Sequence, residues 1–264
     1  MKVAISVLAI LFASAVASGQ ATSTPGPIED NSFLIEEAYN QEPHIVQYIK
    51  TFYLQQNGDW AYSFTNEYPI KTQRHQFSYT VNMGHVGDRT ELGDTFINYR
   101  YQITGIKEGS TVAVAPRFSL ILPTGSWRRG TGSGNLGFQF NLPVSVKLSK
   151  KFVTHWNAGA TVIPNGKNFR GEHAPTTGIN LGQSTIYLAS STFNVMLETY
   201  WLRSQNIIAR GRTDPNYTLL VNPGIRWAYN FRNGLQIVPG VAAPIGVGPS
   251  WGQHGLFLYL SFEK

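Results

Sequence analysis

The chain contains no cysteine. That absence excludes a disulfide framework, thiolate metal ligation, a thiol nucleophile and a lipid-modified cysteine. Charge is sparse as well: Asp, Glu, Lys and Arg make up 14% of 264 residues. The formal net charge of +6 is scattered, with no basic helix and no basic–aromatic stripe, so nucleic acid is not an expected partner. No stretch supplies the roughly twenty apolar residues that a membrane-spanning helix needs. If such a chain spans a bilayer, it must do so as a closed β-barrel, whose backbone groups all pair between strands.

The first residues are of a different kind. Lys2 precedes an apolar run from Val3 to Ala13, followed by small residues. This is the layout of a secretory signal peptide, with cleavage expected after Ala17 or Gly19. ATSTPGPIED then reads as a polar linker, and NSFLIEEAYNQE (31–42) as one or two helical turns capped by Asp30, Asn31 or Ser32. The expected organisation is a signal peptide over 1–19, a linker with a short helical segment over 20–43, and a barrel over 44–264.

From His44 onward the period changes to two. Between Asn135 and Ser149, Leu136, Phe138, Phe140, Leu142, Val144, Val146 and Leu148 alternate with mostly polar residues. Twelve such runs fall near 44–55, 59–69, 74–84, 93–104, 111–123, 135–148, 151–163, 179–189, 192–203, 216–231, 235–247 and 255–263. The phase of the first, eighth and twelfth is not set by pattern. Short connections such as SKK, ASS and RNG alternate with longer ones such as TGSWRRGTGSGN and PNGKNFRGEHAPTTG. Asn233-Gly234 suits a type I′ hairpin turn. Pro143 lacks a ladder donor and is expected to sit at a bulge.

A soluble β-sandwich also alternates. Its strands are shorter, however, and nothing would sort its aromatics onto two rims. Here Tyr68, Phe77, Tyr99, Tyr101, Phe152, Phe193, Trp227, Tyr229 and Phe231 gather toward one rim, and Trp60, Phe138, Trp201 and Tyr217 toward the other. Two aromatic girdles mark a lipid-facing barrel. The expected fold is therefore all-β: an antiparallel transmembrane β-barrel of about twelve strands, of the outer-membrane type.

Three stretches, NSFLIEEAYNQE (31–42), APRFSLILPTG (115–125) and GLFLYLSFE (255–263), resemble the transporter-like outer-membrane proteins grouped as the "MetA-pathway of phenol degradation" family. The resemblance implies an outer-membrane channel for small, often hydrophobic or aromatic compounds. It carries over no binding residues.

The alternation points Asn98, Arg100, Arg117, Gln139, Asn141, His155, Glu198 and Arg226 into the lumen. Their arginines either favour anions or pair with wall acids, for example Arg117 with Glu198. Phe33, Glu36 and Glu37 suit a segment tucked into the short-turn mouth, the alternative being a periplasmic tail. Arg128, Arg129, Lys167, Arg170, Arg210 and Arg212 fall in the longer connections, as contacts for lipopolysaccharide phosphates or as ordinary solvated charge.

No metal or cofactor site is expected, because no His/Asp/Glu motif has ligand spacing. The Gly132–Gly137 stretch matches G-x-G-x-x-G but precedes a strand and not a helix. Catalysis is not expected either, since no nucleophile–base pair is evident. The leading function is passive passage of a small-molecule solute. The alternatives are a closed structural or lipid-contacting barrel and an outer-membrane hydrolase. Expected partners are outer-membrane lipid, lipopolysaccharide and the barrel assembly machinery, which reads an alternating C-terminal strand with a final aromatic residue; here Phe262 is followed by Glu263 and Lys264.

Overall fold

The computed structural model describes residues 31–106 and 109–264. The expected signal peptide and the linker to residue 30 lie outside the described residues. Twelve antiparallel staves follow in chain order. They are β1 (Gln47–Gln55), β2 (Trp60–Ile70), β3 (Thr72–Val86), β4 (Thr95–Tyr101), β5 (Arg117–Leu122), β6 (Gly137–Lys147), β7 (Phe152–Lys167), β8 (His173–Ser190), β9 (Phe193–Ala209), β10 (Arg212–Trp227), β11 (Gln236–Ala242) and β12 (Gly255–Glu263). Short strands extend some of them: Arg89–Leu92 leads into β4, Val112–Val114 into β5, Tyr229–Asn230 follows β10 and Ile245–Gly246 follows β11. Each stave pairs with its neighbours in sequence, and β1 pairs with β12 from Gln47↔Glu263 to Gln55↔Gly255. The sheet closes on itself, so no stave is an open edge over its whole length.

Register settles the phase of every stave. Gln139 lies opposite Ser119 and Thr161, Ser184 opposite His155 and Glu198, and Tyr259 opposite Gly240 and Thr51. Odd residues of β1 and β12 and even residues of β8 therefore point inward. The outer wall carries Phe118, Phe138, Phe140, Trp156, Leu181, Val195, Leu197 and Leu256, all exposed, as the period-two pattern demands. The aromatics assigned to the rims within the staves, from Tyr68 and Phe77 to Trp201 and Tyr217, share this outward phase. The cations Lys50 and Arg203 share the outward phase within the staves. Lys50 is 2% exposed, with Nζ 5.4 Å from the Phe262 ring centroid, so neighbouring side chains cover it.

Several local expectations are corrected. Residues 31–42 form no helix; they run as bends and irregular chain. The register of β6 passes through Pro143 without a shift, with Pro143 opposite Asn157, and its carbonyl accepts the Ala115 N–H at 3.2 Å. The interruption falls instead on the neighbouring stave, between Val114 and Arg117. Asn233 does not take the positive φ of a type I′ turn; Gly234 does (φ 84°), and its N–H closes on the Phe231 carbonyl.

The connections expected to be long around Asn168 and Arg210 are mostly strand. β9 and β10 pair as far as Ala209↔Arg212, and β7 and β8 as far as Lys167↔His173. Toward the far rim the outward positions mix polar residues, such as Arg203, Gln205 and Thr213, with Pro215 and Ile207, so the hydrophobic alternation fades while the backbone ladder continues. The substantial far-rim loop is 123–136, with a 3-10 turn at Trp127–Arg129.

The phase assignment is testable by charge. Leu181→Arg, on the outer wall, is expected to destabilise the folded barrel by about 2–4 kcal/mol. Thr161→Arg, on the inner wall, should be tolerated. Urea titration read by gel heat-modifiability measures both; equal losses would mean that the phase is wrong.

Candidate functional site

Register and burial place Asn98, Arg100, Arg117, Gln139, Asn141, His155, Glu198 and Arg226 on the inner wall, as the alternation predicts. Glu198 and His155 are fully buried and Arg226 is 1% exposed. What buries them is residues 31–42, which cross the lumen in its short-turn half.

This segment is held by side chains of the wall. Ser32 Oγ meets Ser184 Oγ at 2.7 Å. One carboxylate oxygen of Glu198 accepts the successive N–H groups of Phe33, Leu34 and Ile35 at 3.0, 2.9 and 3.2 Å, and the other accepts Asn222 Nδ2 at 2.6 Å. Consecutive N–H groups converging on one anion form a nest, and the bends at 33–35 provide it. The Asn157 amide pairs with both backbone groups of Glu36: Oδ1 accepts the N–H at 2.8 Å and Nδ2 donates to the carbonyl at 2.7 Å. Further on, Ser145 Oγ accepts the Ala38 N–H, Gln102 Oε1 that of Asn40 and Gln76 Oε1 that of Gln41, at 2.7–2.9 Å.

All three lumen arginines also bind the segment. Arg226 donates to the Asn31 carbonyl. Arg100 donates to Asn40 Oδ1 at 2.7 Å and to the carbonyls of Glu37 and Tyr39 at 3.2 and 2.6 Å. Arg117 pairs with the Glu36 carboxylate, Nε lying 2.9 Å from both oxygens. The expected Arg117–Glu198 pair is not formed; Glu198 is occupied by the segment's backbone. Nor is the lumen an excess of positive charge. Glu36, Glu37, Glu67, Glu198 and Glu263 face Arg100, Arg117 and Arg226 in the same half of the barrel.

Apolar contacts seat the segment too. Phe33 packs on Phe257 and Tyr259, with centroids 5.5 and 5.7 Å apart. A Cβ on Gly240 or Gly224 would come within 2.6 Å or less of its ring. Likewise a Cβ on Gly182 would meet Ile35 Cδ1 at 2.2 Å. These glycines make room for the segment rather than for turns. Toward the far rim lies an open cavity of about 440 Å³ lined by Tyr53, Ser63, Asn82 and Thr131, among others.

Sequence reasoning gave no segment-binding role to Gln76, Gln102, Ser145, Asn157 and Ser184. Their inward phase was readable, but which chain their amides and hydroxyls would bind was not. It also missed a serine–histidine contact, because Ser145 and His155 lie on adjacent strands. Ser145 Oγ is 2.7 Å from His155 Nδ1. Both residues are fully buried, and the hydroxyl already accepts the Ala38 N–H. The pair braces the segment; it has no open face for a substrate. Among the described residues no three His, Asp or Glu side chains gather as metal ligands.

The cations assigned to the far rim have mixed surroundings. Arg129 pairs with Glu91, Arg128 and Lys167 lie 4.6 and 5.6 Å from the Trp127 ring centroid, and Arg170 lies 5.3 Å from that of Phe169. Arg210 and Arg212 flank the β9–β10 turn. Asp94, inside the wall, anchors the 123–136 loop by accepting the N–H groups of Gly125 and Ser133 at 3.0 and 2.7 Å.

A family model described as "Putative MetA-pathway of phenol degradation" matches residues 22–246. Among solved structures, the chain is similar to the COG4313 outer membrane channel from Pseudomonas putida F1. The TM-score is 0.63 at 11% identity, covering 90% of this chain and 98% of that one. It is also similar to the NanC porin, with a TM-score of 0.51 at 10% identity, covering 82% and 98%. At such identities the likeness is one of fold. No curated protein matches in sequence.

Glu198→Ala leaves three N–H groups of the segment without their acceptor. Hydrogen bonds to a charged group contribute about 1.5–3 kcal/mol, so the segment's occupancy of the lumen should fall about tenfold or more. In planar bilayers this reads as more frequent channel openings, with heat-modifiability retained. An unchanged opening frequency would mean that Glu198 does not hold the segment.

Proposed function

We propose that this chain, which belongs to the family described as putative MetA-pathway of phenol degradation, is an outer-membrane channel for passive passage of small molecules, closed at rest by its own N-terminal segment. The observation that carries this reading is the set of wall-to-segment hydrogen bonds just described. Inward side chains of β3 to β10 converge on residues 31–42, and the described bonds between segment and staves run through side chains. A contact made of side chains can release without breaking the barrel ladder. The solute would then diffuse past oriented polar groups with no covalent step. The family's description favours small aromatic compounds as solutes.

The rest of the wall supports a place in the outer membrane. The exposed outward apolar residues suit a bilayer. Leu256, Leu258, Leu260 and Phe262 give the last stave the outward face that assembly machinery would read. Arg128, Arg170, Arg210 and Arg212 at the far rim would meet lipopolysaccharide phosphates. A closed, non-conducting barrel is the competing reading, favoured by how fully the segment fills the short-turn half.

Deleting residues 20–42 separates the two. In a channel, single-channel conductance rises several-fold in planar bilayers. Loss of Glu36 and Glu37 also removes negative charge from the lumen, so the reversal potential in a salt gradient shifts toward anions. A variant that stays heat-modifiable but silent is a structural barrel.

A further inference from the structure

We propose that the Arg117 pocket of the inner wall is a binding site for the carboxylate group of a small organic acid, and that Glu36 occupies it at rest as a stand-in for that solute. Arg117 presents its fork to Glu36: Nε lies 2.9 Å from each carboxylate oxygen, and a terminal nitrogen also contacts Oε1. Two-point contact of this kind is how a guanidinium recognises a carboxylate. The remaining donors of Arg117 are fixed by the barrel. One terminal nitrogen reaches Asn98 Oδ1 at 3.3 Å and Ser119 Oγ, and the other reaches Gln139 Oε1 at 2.9 Å. Gln139 is itself held by Thr161 at 3.0 Å. The fork is thus aimed by wall residues, while the carboxylate it grips comes from the movable segment.

The wall supplies no substitute. Among the described residues, Glu36 is the carboxylate within salt-bridge distance of Arg117, whereas Arg100 has Glu67 on the wall at 3.8 Å. Arg117 and Arg100 are direct cross-strand partners, an arrangement unfavourable for like charges unless an anion sits against them. When the segment leaves, a preorganised guanidinium is left facing the lumen. A brace for the wall would need no partner outside it.

The segment has a place to pivot. His44 takes a left-handed φ of 73° between the segment and β1, and the barrel ladder resumes at Val46, whose N–H meets the Lys264 carbonyl at 2.9 Å. A solute carboxylate entering the pocket would displace Glu36, so the same contact selects the solute and opens the path. This inference deepens the channel reading and rests on it for the role of the site; the binding itself is measured separately.

Benzoate serves as probe and benzyl alcohol as its uncharged control, on the detergent-solubilised full chain. By titration calorimetry, Glu36→Gln should bind benzoate about tenfold or more tightly than the wild type, since the competing carboxylate is gone. Benzyl alcohol should not bind. Adding Arg117→Gln to Glu36→Gln should abolish benzoate binding, whereas Arg117→Lys, which keeps charge but not the fork, should retain it weakly. Benzoate binding that ignores Arg117, or equal binding of benzyl alcohol, overturns the site. In bilayers, a deletion of residues 20–42 that conducts while Glu36→Gln ignores benzoate leaves the gate standing and the carboxylate site refuted. A silent deletion with Arg117-dependent benzoate binding does the reverse.

Discussion

A peptide N–H or carbonyl without a partner is costly wherever water is excluded, and this barrel meets that constraint twice. The first time is in the wall. Pairing of β1 with β12 closes the sheet, and the pleat then forces alternate residues toward lipid and lumen. Everything on the inner surface follows from that phase. The second time is inside the lumen, where residues 31–42 run without helix and without a strand partner. The N–H groups of residues 33–36, 38, 40 and 41 are taken by Glu198, Asn157, Ser145, Gln102 and Gln76, which stand in for the missing neighbour strand.

The electrostatics of the lumen depend on this second solution. On the wall, Arg100, Arg117 and Arg226 stand with Glu67, Glu198 and Glu263. With the segment in place, each arginine is bound to it, by a carbonyl, an amide oxygen or a carboxylate. The carboxylates of Glu36 and Glu37 come from the segment, so its presence changes the charge that a solute meets as well as the width of the path. Gly182, Gly224 and Gly240 show the same dependence in shape, since side chains there would collide with Ile35 or Phe33.

Much of this was legible in the sequence. Twelve period-two runs gave twelve staves, and all eight inward side chains singled out were inward. The errors have physical causes. Strand ends of mixed polarity toward the far rim keep their ladder but lose the hydrophobic signal, so β7 to β10 were read short. Pro143 was read as a bulge, yet the break falls between Val114 and Arg117 on the adjacent stave. The helical reading of NSFLIEEAYNQE failed because its backbone groups find partners on the wall, a tertiary effect that no local spacing reveals. For the same reason Arg117 was offered Glu198 as a partner, when the nearer acid was Glu36. Ser145 and His155 came together only through the register of β6 and β7.

The absence of native cysteine makes a direct measurement of the gate straightforward. In Ile35→Cys/Gly182→Cys, the new thiols would sit where the Ile35 side chain now lies against Gly182, with Ile35 Cγ1 3.5 Å from an ideal Cβ on that glycine. If the segment is the gate, the oxidised double variant stays closed in planar bilayers and reduction restores opening. Equal conductance before and after reduction, with the disulfide shown to form, would contradict a gate made by residues 31–42.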